Sequence, residues 1–80
     1  MGKWKFDTTT IDRWPSEKIH ALEGTIWERD GRRRNIVGTS LANDPDRVDI
    51  TWRAYPRNKG EQYCYWSHFK KWLREARQIT

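Results

Sequence analysis

This 80-residue chain has little of the usual filling of a small domain core. Ile, Leu and Val together number 11, only as many as Trp, Tyr and Phe. Aliphatic side chains alone therefore cannot build an interior. A single cysteine, Cys64, excludes an internal disulfide framework and fits a reducing compartment, so a cytoplasmic location is expected. Flanked by Tyr63 and Tyr65 in a strand-like run, it reads as a buried, inert thiol. No segment approaches the roughly 18 consecutive apolar residues of a membrane span, and none resembles a secretory or transit peptide; a membrane partner is not expected.

Metal-ligand and catalytic patterns are also missing. Asp44, Asp46 and Asp49 begin like a calcium loop, but Tyr55 stands where the bidentate acid belongs. Cys64 and His68 lack the second pair of ligands that a structural zinc site needs. His20 and His68 have no nucleophile nearby in sequence. No cofactor, no metal and no catalytic residue are expected.

What the chain does have is six tryptophans among 16 Lys and Arg residues, with a net charge of +5. Each buried aromatic ring removes roughly 150–250 Å² from water, worth about 4–6 kcal/mol at ~25 cal/mol per Å². A few such rings can hold together a single domain of this size. The positive balance favours anionic partners, nucleic acid first.

The pattern along the chain is that of one domain, 1–80, in three parts. Residues 1–15 form an arm that packs across the body, with a short strand where Trp4 and Phe6 alternate with Lys3 and Lys5, and an extended Trp14 before Pro15. Residues 16–66 form a sheet or barrel. Within them, the stretch 19–29 is preferred as strand, with an N-capped helix from Ser16 to Leu22 as the alternative. Asp30-Gly31 is a strong hairpin signal; residues 35–39 make the return strand, with Arg32, Arg33 and Arg34 at the tip or shoulder. Asn43 to Asp46 turns the chain. Val48, Ile50, Trp52 and Ala54 then alternate with Asp49, Thr51, Arg53 and Tyr55, the signature of a half-buried strand. A further strand runs from Glu61 to Trp66. Residues 67–78 read as a helix capped by Ser67, with Phe69, Trp72, Leu73 and Ala76 as its apolar stripe.

The fold class expected is mainly β (α+β), a barrel or curled sheet of about three to five antiparallel strands with a C-terminal helix and an N-terminal arm. In element order, and in segments such as GTIWERDGRRRNIV, RVDITWRAY and YWSHFKKWL, the chain resembles the small SH3-like barrels. It is also similar in style to short Trp- and Arg-rich proteins of prophages and mobile elements. SH3-like barrels host DNA, RNA, peptide and ribosome binding alike, so the resemblance implies a binding module without choosing the ligand.

The basic residues choose more sharply. Arg29, Arg32, Arg33 and Arg34 bracket the hairpin, and Arg53, Arg57 and Lys59 lie on or beside the next strand. Guanidinium groups match phosphate and guanine edges bidentately. Tyr55, and whichever of Tyr63 and Tyr65 faces outward, offer rings for base stacking. These residues form the expected nucleic-acid-binding set, for DNA or RNA. The alternative is a protein-interaction module or inhibitor, with Trp4, Trp14 and Trp27 as an exposed hot-spot patch and a homodimer as one form. A third reading, a metal-independent ribonuclease toxin, would use Arg53, Tyr55, Tyr63 and His68 to stabilise phosphate charge.

Overall fold

A computed structural model describes residues 4–56 and 60–80. Five antiparallel strands form one sheet: β1 (Ile26–Arg29), β2 (Arg32–Thr39), β3 (Asp49–Tyr55), β4 (Gln62–Tyr65) and β5 (Arg77–Gln78). Their spatial order is β4-β3-β2-β1-β5. Two α-helices, α1 (Ser16–His20) and α2 (Trp66–Leu73), and two 3-10 segments complete the chain. The mainly β class with a C-terminal helix is as expected. The edge strands β4 and β5 form no ladder with each other among the described residues.

The Asp30-Gly31 hairpin closes as its sequence dictates. Both residues adopt positive φ, 52° and 78°, as a two-residue turn matched to strand twist requires. Arg29 therefore pairs with Arg32. β2 begins at Arg32 rather than at residue 35, so the three arginines lie along a strand and only Asp30 and Gly31 occupy the tip.

Several expectations are corrected. The stretch 19–29 is not one strand. Residues 16–20 are helical, a turn follows, and β1 starts at Ile26. Ile19 and Leu22 are both fully buried, which a spacing of three achieves on a helix but not on a strand. Ser16 is the first helical residue and Pro15 occupies the N-cap position. The arm contains no strand at Trp4 or Phe6; Lys3 lies outside the described residues. The three threonines instead form a 3-10 segment, Thr8–Arg13, capped by the Asp7 carboxylate, which accepts from the Thr9 N–H at 3.0 Å. Helix α2 starts one residue early, after Tyr65 rather than Ser67, and stops at Leu73. Residues 77–78 leave the helix because they pair with Trp27 and Glu28 of β1.

All of the core lies on one side of the sheet. Val48 and Ile50 are buried beneath α2, which touches β1, β3 and β4, while Ile11 and Trp14 of the arm close the same layer. Trp14 stacks on Trp66 at 5.7 Å between ring centres, and Phe6 lies 5.6 Å from Trp14 and 6.1 Å from Trp27. The indole N–H groups are satisfied locally: Trp14 donates to Thr10 Oγ1 at 3.1 Å and Trp27 to Thr25 Oγ1 at 2.9 Å. The exposed Trp14 and Trp27 patch of the protein-interaction reading is thereby overturned, since both rings are buried.

Truncation should separate core from surface. Trp27→Ala is expected to cost about 3–5 kcal/mol in chemical denaturation, as for other buried large-to-small changes. Leu41, 94% exposed, should tolerate Leu41→Ala within about 0.5 kcal/mol.

Candidate nucleic-acid interface

The sheet pleat divides the arginines. Side chains alternate between faces along a strand, and directly paired residues share a face. The register pairs Arg34 with Trp27 and Ala54, and Ile36 with Trp52, on the core side. It pairs Arg33 with Glu28 and Tyr55, and Asn35 with Arg53, on the opposite, open side. Arg77 and Tyr63 also face the open side, through their partners Glu28 and Thr51. The expected set therefore does not converge as a whole on one face. Arg57 and Lys59 lie outside the described residues.

The open face is balanced in charge. Glu28 bridges Arg77 at 2.8 Å and Arg33 at 3.4 Å, and Arg53 Nη2 donates to Glu61 at 2.6 Å. Arg53 Nε is buried without a partner among the described residues. Tyr55, Tyr63 and Tyr65 are exposed on this face, opposite Arg33, Thr51 and Asp49. Arg53, Tyr55 and Tyr63 occupy this face, whereas the exposed His68 lies on α2, packed against the other one. The four residues of the ribonuclease reading are thus divided between two layers.

On the core side the hairpin end behaves differently. Arg29 caps α2, its Nη1 donating to the Lys71 and Trp72 carbonyls at 3.3 and 3.2 Å; it satisfies the open end of a helix and neighbours Asp30 and Glu75. Arg34 has no carboxylate partner among the described residues. Its guanidinium carbon lies over two indoles, 3.9 Å from the Trp52 ring centre and 4.4 Å from that of Trp72. Burial between the rings depresses its pKa from the ordinary arginine value, and the charges of Arg32 and Arg29 act in the same direction. The group remains a cation at any physiological pH. Its N–H groups meet no acceptor among the described residues, so that edge is left for one.

That edge borders a groove of about 400 Å³ lined by Gly31, Arg32, Arg33, Arg34, Trp52, Ala54, Tyr55, Pro56 and Gln62. Four members of the expected set thus meet here: Arg32, Arg33, Arg34 and Tyr55. Three arginines line it, of which Arg33 is paired with Glu28 on the open face, and most of its wall is apolar. Arg32 is exposed and, among the described residues, without an ion-pair partner. Trp52, Ala54, Pro56 and Gln62 were not anticipated as site residues, because the alternation that made Trp52 a core residue also places it beside Arg34. Counting back two positions from Ile36 would have revealed an arginine at a core-facing position.

Comparison with known proteins adds no relative. No protein-family model matches the chain, and no curated protein or solved structure matches it. Among the described residues there is no group of three or more metal-ligating side chains and no helix long and apolar enough to cross a membrane.

Two outcomes are expected. Arg34→Lys keeps the charge but loses the guanidinium over the two rings, so stability should fall by about 1–2 kcal/mol, with a change in tryptophan fluorescence. Hydrogen bonding from Arg77 holds the Glu28 pKa below its ordinary 4.5, opposed by burial and aided by Arg33. Its stabilisation is therefore complete above the unfolded value and disappears as pH falls through the lower folded one. Between about pH 5 and pH 3, the melting temperature of the native protein should fall more steeply than that of Glu28→Gln.

Proposed function

We propose that this protein binds single-stranded nucleic acid, with one nucleotide seated in the groove at the hairpin end. Two successive phosphates would accept, one from the N–H groups of Arg32 and the next from those of Arg34, and a base would lie against Trp52, Ala54 and Pro56 with Tyr55 at the rim. The observation that carries this reading is the groove lining: an apolar wall beside Arg32 and Arg34, which have no carboxylate partner among the described residues. A cleft of this volume falls in the range of small-ligand sites. Pairing a cationic edge with flat or apolar surface is how single strands are held without base-pair readout. Duplex insertion by the hairpin tip is less favoured, because the tip carries the exposed Asp30 carboxylate, which phosphates would repel.

The net charge of +5 supports long-range attraction of such a ligand. The order of short antiparallel strands followed by a helix, which resembles an SH3-like barrel, suits binding without selecting it. A free cysteine goes with a cytoplasmic setting. The competing protein-partner reading loses Trp14 and Trp27, which are interior, and keeps the half-buried Trp4.

Fluorescence anisotropy with a labelled mixed-sequence single strand tests the reading. Two phosphate contacts predict a log–log salt slope near −1.4, roughly a sevenfold loss of affinity between about 50 and 200 mM salt. Arg32→Ala should weaken binding and make that slope shallower by about 0.7. Salt-independent binding, or an unchanged slope in the variant, would reject the assignment.

A further inference from the structure

Among the described residues the sheet ends on one side at β4, and the hydrogen-bond phase of that strand determines what this edge offers. The Trp66 N–H donates to the Val48 carbonyl at 2.8 Å, and these residues continue the register that pairs Tyr65 with Asp49 and Cys64 with Ile50. In an antiparallel ladder, hydrogen-bonded and non-hydrogen-bonded pairs alternate. Cys64 and Gln62 therefore spend their backbone groups on β3, whereas the N–H and C=O groups of Tyr63 and Tyr65 point away from the sheet. The other side of β3 agrees: the Asp49 carbonyl accepts from the Ser40 N–H at 3.0 Å, on the β2 side.

Natural edges are usually guarded by a lysine, a proline, a bulge or a covering loop. Within Gln62–Tyr65 there is no lysine or proline, and its register with β3 is unbroken. Tyr63 is 73% and Tyr65 55% exposed. The opposite edge, β5, spans only two residues. The β4 edge is also self-complementary. Tyr63-Cys64-Tyr65 reads the same in both directions, so a twofold axis at Cys64 sets each outward-pointing tyrosine opposite the other tyrosine of a second copy.

We propose that β4 pairs antiparallel with β4 of a second copy about a twofold axis at Cys64, joining two five-stranded sheets into one. Tyr63 and Tyr65 then exchange both backbone hydrogen bonds with Tyr65 and Tyr63 of the other molecule, and their rings pair across the seam on the open face, a favourable cross-strand arrangement. An isologous contact of this kind closes at two subunits. A seam one strand wide is small, so the dimer is a weak one. A register centred on Tyr63 instead would draw on Glu61, outside the strand, and match Cys64 with Gln62. The inference is independent of nucleic-acid binding and is tested without ligand.

Sedimentation equilibrium between about 10 µM and 1 mM should show the mass rising from 9.7 kDa towards twice that value. Tyr65→Pro is the decisive variant. Tyr65 already has φ of −68°, which proline adopts, and the lost N–H is one the monomer does not use. The variant should keep the native circular dichroism and remain monomeric throughout. Tyr63→Lys, which guards the edge without touching the backbone, should weaken association at least about tenfold. In this register the two Cys64 residues form a non-hydrogen-bonded pair with Cα atoms about 4.5 Å apart, within disulfide reach. Copper–phenanthroline, accepting the two electrons as two thiols lose their protons, should link them. A native protein monomeric at 1 mM, a dimer undiminished in both variants, or a dimer that resists Cys64 linkage would each overturn the proposal.

Discussion

Indole burial on a single face of the sheet is the constraint from which the remaining architecture follows. Trp14, Trp27 and Trp66 occupy the space that so few aliphatic residues leave unfilled, and they do so on the side covered by α2 and the arm. Once Trp27 and Ile36 face inward, the pleat settles the side taken by every neighbour along β1 and β2. Arg34 is thereby brought to the core side, where its guanidinium lies against Trp52 and Trp72 with no carboxylate partner among the described residues. Arg33, one residue away, is sent to the open face and into the Glu28 ion pair.

The same constraint explains why equal charges have unequal chemical potential as ligands. Exposed ion pairs such as those of Arg33, Arg53 and Arg77 contribute little to stability, but they quench the field that an incoming anion would feel. Arg34 and Arg32 meet no such neutralisation among the described residues. An arginine held against two rings has also lost most of its side-chain freedom before any ligand arrives, which lowers the entropy cost of binding.

Legibility varied with the range of the interaction involved. The Asp30-Gly31 hairpin and the alternation through β3 were readable because turn geometry and pleat are properties of a few adjacent residues. The stripe of Phe69, Trp72 and Leu73 was readable for the same reason. Residues 16–22 were ambiguous because short segments satisfy both periodicities; residues 16–20 are helical, and Leu22, in the turn that follows, is buried together with Ile19. Residues 77–78 continued a helical pattern locally, and only the free edge of β1, distant in sequence, drew them into a strand.

By itself, the amino-acid sequence determined a ring-cored β domain with a positive surplus, a tight first hairpin and a terminal helix, since composition and nearest-neighbour geometry suffice for these. Tertiary structure alone decided which arginines are neutralised, which one is stacked, and that Arg32, Arg33, Arg34 and Tyr55 meet Trp52 at a groove. Those outcomes depend on strand register and on side chains far apart in sequence, 49 positions in the case of Glu28 and Arg77. Such pairings are set by the packing of the whole sheet against α2, and no local pattern encodes them.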